Sequence, residues 1–158
     1  MRTRLVGFLI LAAIGITISE CSSADRNDSG DIVSSGDVQA SDVRLGDCFN
    51  NLPAERESFS SVKAVPCSES HQWQLFYRGT LSLSSYSEVE VRKAASDMCN
   101  DAANSLFNQM SAIKFDAFKN AELGFFSPSK NSWSARNDRS LECLVGSDIE
   151  TYFTSVFD

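Results

Sequence analysis

The sequence predicts an α+β fold, a small antiparallel sheet packed on one long helix and stapled by two disulfides. Three observations carry this expectation. One stretch of helical periodicity runs over residues 87–110, short runs with strand-like alternation lie on either side of it, and four cysteines are spread through the same region. The chain has 158 residues, which fits one domain plus appendages. Hydrophobic residues at 42% and charged residues at 22% describe a mostly globular chain. A net charge of −7 argues against a nucleic-acid partner, because phosphate contacts need clustered Lys and Arg.

The N-terminus decides the expected compartment. Arg2 and Arg4 form a short basic region, and residues 5–18 follow without a charge and mostly apolar. That run is too short to cross hydrocarbon, which takes about 20 residues. A basic start, a short apolar core and small residues afterwards make a secretory signal over residues 1–20. Cys21 stands just after the run, in Ile18-Ser19-Glu20-Cys21-Ser22-Ser23. This resembles a bacterial lipoprotein signal, in which the cysteine receives lipid and becomes the first residue of the mature chain. The competing reading is ordinary cleavage after the small-x-small Ser22-Ser23-Ala24. The expected location is therefore outside the cytosol, anchored to the outer face of the cell membrane by an N-terminal lipid, or secreted. An acidic body gains nothing from anionic headgroups, so membrane contact would rest on the lipid.

Residues 21–41 read as a flexible linker. From 22 to 41 there are six Ser, four Asp and two Gly, and no aromatic. Such a composition is poor at burying a core, and as a coil of about 20 residues it would hold the domain about 25 Å from its anchor.

The domain is expected over residues 42–158. Val43 and Leu45 flank Arg44, and Gly46-Asp47 turns the chain before Cys48-Phe49. Residues 50–60 are polar around Pro53 and read as a loop. Residues 62–65 form a short strand stopped by Pro66. Residues 72–78 form a longer one, in which Trp73, Leu75 and Tyr77 alternate with polar neighbours and Phe76 breaks the pattern. The loop from Cys67 to His71 suggests a hairpin between these two, and Gly79-Thr80 a bulge.

Ser87 with Glu90 makes a capping box for the helix. Val91, Ala95, Met98, Cys99, Ala102, Leu106 and Met110 recur along one face, so the Cys99 sulfur points into the core. Residues 111–122 fit either a helical turn or a packed loop. Residues 123–126 read as a strand ended by Pro128, and Ser129 caps a short turn reaching Trp133. Residues 140–145 form a strand with Leu141 and Cys143 on one face, and residues 152–157 are apolar enough for a last strand.

With Cys21 lipidated or removed, Cys48, Cys67, Cys99 and Cys143 remain, and an even set in an exported chain reads as a disulfide framework. Four cysteines allow three pairings, and the spacing does not choose among them. A metal site is the rival, with Cys67 and His71 four apart, but the chain has no C-x-x-C pair and one histidine. No metal and no cofactor is expected.

An ordered set of short motifs then supports a resemblance. Gly46-Asp47-Cys48, Val65-Pro66-Cys67 with His71, the helix cysteine Cys99, Pro128 with Ser132-Trp133, and Asp138-Arg139 with Cys143-Leu144 follow one another. Residues 42 to about 147 resemble the septum formation-related domain of exported and membrane-anchored actinobacterial proteins. The resemblance implies pairing in sequence order, Cys48 with Cys67 and Cys99 with Cys143, and an envelope location. The family name carries no defined chemistry.

The candidate functional residues are His71, Trp133, Asp138 and Arg139. For each, a structural role competes with a functional one. His71 fits a loop histidine bonded to the Cys67 turn better than a general base. Asp47 fits a turn cap. Trp133 is a core plug or a binding aromatic, and Asp138-Arg139 closes a turn or holds a ligand. No serine lies in a nucleophile motif, so no catalytic set is assigned. The expected function is a non-enzymatic cell-envelope lipoprotein, a tethered module related to septum formation or cell division. Its partner would be an envelope protein or a cell-wall component. The alternative is a small secreted enzyme or ligand-binding protein using His71, with Asp47 or Asp138 as acidic partner.

Overall fold

The structure, a computed structural model, describes residues 23–52 and 60–157. The signal segment, Cys21 and most of the loop around Pro53 lie outside the described residues. In chain order the elements are β1 (Asp25–Arg26), β2 (Ile32–Ser34), β3 (Gly36–Gln39), β4 (Cys48–Asn50), β5 (Ser61–Val65) and β6 (Trp73–Thr80). The helices α1 (Glu88–Phe107) and α2 (Ala112–Phe118) follow, then β7 (Glu122–Phe126), α3 (Lys130–Arg136) and β8 (Ser140–Gly146). The fold is α+β. Its main sheet has six strands in the order β3-β5-β4-β6-β8-β7, with every neighbouring pair antiparallel, and β1 and β2 form a separate ribbon. The sheet is thus larger than expected, and two shorter helices accompany the long one.

Helix α1 starts where the capping box places it. The Ser87 hydroxyl accepts from the Glu90 amide at 3.4 Å, and Val91, Ala95, Cys99 and Ala103 are buried along one stripe. Cys99 is bonded to Cys143 on β8, with Cα atoms 5.5 Å apart, so one crosslink joins helix to sheet. The second, Cys48–Cys67, joins the start of β4 to the turn after β5, with Cα atoms 5.3 Å apart. In the loop-closure account these add about 4 and about 3 kcal/mol.

Strands β5 and β6 do not form the expected hairpin. Strand β4 lies between them, bonded to β5 on one side and β6 on the other. The connection from Cys67 to His71 therefore steps over a strand, and Cys48–Cys67 ties the inserted strand to that connection. The bulge in β6 falls at Phe76 rather than at Gly79-Thr80. Leu75 faces Leu144 and Tyr77 faces the next residue back, Cys143, which leaves Phe76 as the extra residue. This is why Phe76 breaks the alternation. It turns toward the α1 side while Trp73 and Leu75 pack on the other.

The sheet is buried on both faces. On one, Phe76, Leu141, Cys143 and Val145 pack with α1 and Trp133. On the other, Phe49, Trp73, Leu75 and Leu144 pack with Ile32, Val38 and Val43. This second cluster corrects the boundary at residue 42. The segment from Ser23 to Ser41, expected to be a linker, is part of the folded body. Strand β3 pairs with β5 from Gly36↔Ala64 to Gln39↔Ser61, and Ile32 and Val38 are buried. Averaged composition hid two residues, Ile32 and Val38, that pack on the open face. Arg26 then locks the segment down, with its guanidinium on both Asp47 oxygens at 2.7 Å and also donating to the carbonyls of Gly30 and Asp42.

The tail also differs from expectation. Residues 152–157 are not a strand. Tyr152 makes one antiparallel bridge with His71, and beyond it the buried Gln74 takes the place of a ladder. Its amide donates to Ser155 Oγ at 2.8 Å, and its carbonyl accepts from the Val156 amide at 2.7 Å. Tyr152 and Val156 are buried while Phe153 and Phe157 face solvent. Residues 112–118 resolve as helix, with the Ser111 hydroxyl accepting from the Lys114 amide and Phe118 stacked on Tyr152 at 4.7 Å.

Candidate functional site

The candidate residues sort to the two ends of β6. His71 precedes its first residue and Arg78 lies near its last, so the two ends are about 23 Å apart at strand rise.

At the first end, His71 is 1% exposed. Its backbone exchanges both hydrogen bonds with Tyr152, at 3.0 and 2.7 Å, and its Nδ1 lies 2.9 Å from the Glu69 carbonyl. Glu69 belongs to the turn after Cys67, where its amide donates to the Pro66 carbonyl. Burial lowers the basicity of the imidazole, with the Glu69 bond acting weakly the other way. Its Nε2 has no hydrogen-bond partner among the described residues, nor does the Tyr152 hydroxyl. The acidic residues weighed as partners are engaged elsewhere. Asp47 is 4% exposed, held by Arg26 and by the Arg44 amide at 2.7 Å. Asp138 sits at the far end of β6, beside the Thr80↔Ser140 pair. His71 thus joins the connection, through Nδ1 and the Glu69 carbonyl, to the tail, through its backbone and Tyr152.

At the second end, the turn between α3 and β8 gathers the other three candidates. Trp133 is 6% exposed and plugs the helix-side core. The Arg139 guanidinium lies 3.4 Å from its ring centroid, and Tyr86 meets its edge at 5.7 Å. Arg139 also donates to the carbonyls of Trp133 and Asp138, at 3.2 and 2.9 Å. Asp138 Oδ1 accepts from the Ser140 amide at 3.0 Å and its hydroxyl at 2.6 Å. Burial works against the Asp138 charge, but the Ser140 bonds, a Ser132 bond and the Arg136 charge outweigh it and hold the carboxyl below its ordinary value. Asn137, with φ +52°, takes the left-handed position that ends α3 and aims the pair back at the sheet.

This turn forms one wall of a cavity of about 870 Å³. The other walls are the C-terminal end of β6 with β8, the first turns of α1, the Phe126–Ser129 connection, and Ala40–Ser41 with Ser60. Arg78 and Glu142, 64 residues apart, meet here across the β6–β8 pair at 3.0 Å. Burial dominates at Glu142 and raises its carboxyl above the ordinary range, against the pull of Arg78 and with a further push from the Asp138 charge. Asp138 lines this cavity, whereas Trp133 and Arg139 lie behind it. Sequence reasoning missed Arg26, Arg78, Tyr86 and Glu142. Tyr86, next to the capping serine, was the most legible of these, because an aromatic there is placed to meet the helix N-terminus. The ion pairs had no local signal.

Among the described residues, no group of three or more His, Cys, Asp and Glu is arranged to hold a metal ion. No helix among them is long and apolar enough to cross a membrane. Comparison of the chain with protein-family models, with curated proteins and with solved structures returns no match.

Proposed function

We propose that this chain is a non-enzymatic, extracytoplasmic module of the cell envelope, held to the membrane by lipid on Cys21 and binding an envelope protein or a wall component. The observation that carries the reading is the pair of disulfides, one joining helix to sheet and one tying β4 to the turn after β5, since such bonds persist in oxidising compartments. Their sequential pairing is also the one that the resemblance to septum formation-related domains implies, and it supports a relation to that family. The enclosure of His71, whose side chain no substrate can reach without opening the tail, favours a structural histidine over a general base.

The folded N-terminal segment changes the geometry of the anchor. Ser23 is already bridged to Asp37 on β3. One residue, Ser22, lies between it and Cys21, and two peptide units reach about 7 Å at most. A lipid on Cys21 would hold the body close to the headgroups, not about 25 Å away on a coil.

Intact mass of the mature protein before and after reduction tests the reading. The expected result is an acyl mass on Cys21 and a gain of two hydrogens for each of two bridges. Cys21→Ala is expected to move the protein from the membrane fraction to the medium. A variant that stays with the membrane overturns the anchor, and four free thiols in freshly isolated protein overturn the export.

A further inference from the structure

We propose that the cavity at the C-terminal end of β6 binds a neutral carbohydrate chain. This deepens the envelope reading, because it gives the module a site and its partner a chemistry.

Among the described residues, the walls are electrically balanced. Arg78, Arg92 and Arg136 face Glu88, Asp138 and Glu142 around one space, while the chain as a whole carries −7. The body repels anions, and the cavity offers no excess of either sign to a charged polymer. A polyanion would want the three arginines without their acids, and a basic peptide the reverse. What remains is a dense set of planar polar groups and hydroxyls. Carboxylates and guanidinium forks take two hydrogen bonds side by side, which suits neighbouring hydroxyls on a sugar ring.

The groups are also held in place before any ligand arrives. Glu142 is fixed by Arg78 at 3.0 Å, and Asp138 by two bonds from Ser140. Ser129 and Ser132 are set by the α3 cap, with the Ser132 amide donating to Ser129 Oγ at 3.1 Å. Tyr86 is braced against Trp133, which Arg139 backs from behind. A pre-set polar array loses little freedom on binding, which matters for a ligand of weak individual contacts.

Apolar surface is present beside these groups. Tyr86, Phe126 and Pro128 line the same space. Sugars present one face of C–H groups and a rim of hydroxyls, so aromatic surface next to planar polar groups matches both. At about 870 Å³ the cavity lies at the upper end of the range for small-molecule sites, and it opens to solvent, as a chain passing through requires. A peptide would instead seek a free strand edge or an enclosed apolar pocket.

The test uses the purified disulfide-bonded protein and a neutral N-acetylglucosamine oligosaccharide, with an oligoglutamate and an oligolysine of similar length as charged controls. The oligosaccharide is expected to bind saturably, to shift amide resonances of Ser127, Ser129, Ser140 and Glu142, and to leave those of Glu69 and His71 in place. Ser127→Trp fills the space and is expected to weaken binding at least tenfold, about 1.4 kcal/mol, with α1 helicity and both disulfides unchanged. No saturable binding of the sugar overturns the proposal. So do shifts confined to the His71 end, a folded Ser127→Trp that binds as the parent does, or a charged control that binds as tightly. Because the assay does not involve the membrane, its failure leaves the location open, and fractionation of Cys21→Ala speaks to the location alone.

Discussion

The two faces of the main sheet are closed by different means. On one face a 20-residue helix supplies a continuous apolar stripe and is covalently tied down through Cys99–Cys143. On the other, a segment rich in Ser and Asp supplies Ile32 and Val38, with Val43 just after it, and is held by Arg26 on Asp47 and by the ladder of β3 on β5. The first cover is dense and local in sequence. The second is sparse, and each apolar residue is used. A segment with few apolar residues can therefore be structural when those few side chains meet a waiting apolar face and one buried ion pair sets its register.

The largest effect is expected from cutting the covalent clamp. Replacing Cys99 and Cys143 together with Ala should cost about 4 kcal/mol, read as a lower midpoint in denaturant, with α1 losing amide-exchange protection before β4 and β5. If α1 stays as protected as in the parent, packing and not the crosslink holds that face.

Arg26→Ala attacks the other cover. It leaves Asp47, with a side chain 3% exposed, without its guanidinium, and breaking one partner of such a pair costs about 3 kcal/mol. Limited proteolysis should then cut within residues 23–42 while the rest survives. Unchanged resistance and stability would mean that the N-terminal segment is a passive linker after all.

Gly146→Ala probes the close approach of β8 to β6 in the sheet that both covers pack on. An added Cβ would collide with the Gln72 carbonyl and the Trp73 backbone on β6, where no flexible side chain can yield. A loss of about 2 kcal/mol is expected from such overpacking, together with weaker protection of the His71–Tyr152 bridge. A neutral outcome would show that β6 and β8 can separate locally without cost.

The smallest effect is a slope. The His71 imidazole is less basic in the folded chain than its ordinary value near 6.5. The unfolded chain then binds more protons below that pH, so stability is full at neutral pH and falls as pH drops through 6.5 toward the lower folded value. Glu142, raised by burial, has the opposite sign, stabilising at low pH and losing that contribution as pH rises above its ordinary value near 4.5. His71→Phe should flatten the decline between about pH 7 and about pH 5, measured by denaturant midpoints. An equal decline in that variant would place its source elsewhere.

Much of the fold could be read before the structure. The capping box at Ser87, the stripe through Cys99, the turn at Gly46-Asp47 and the strands around Val62, Trp73, Leu123 and Leu141 all rest on short-range rules, and all appear within a residue or two. The side chains of His71, Asp138 and Arg139 bond to near neighbours, which short-range rules can anticipate, whereas the backbone pairing of His71 with Tyr152, far along the chain, had no such signal. The errors are of another kind. The hairpin between β5 and β6 failed because β4, earlier in the chain, enters between them. The linker failed because composition was averaged over residues that act singly. A signal for the second cover did exist: Cys143-Leu144-Val145 is apolar at consecutive positions, which means a strand buried on both sides.

The chain's own order of residues determined its helix, its turns, its caps and the set of cysteines available for crosslinking, because these depend on groups three or four positions apart. Only folding decided which strand lies beside which, that Arg26 would reach Asp47, and that Arg78 and Glu142 would share one wall. Those arrangements arise from burying two faces of one sheet at once, a condition that no stretch of the chain meets alone.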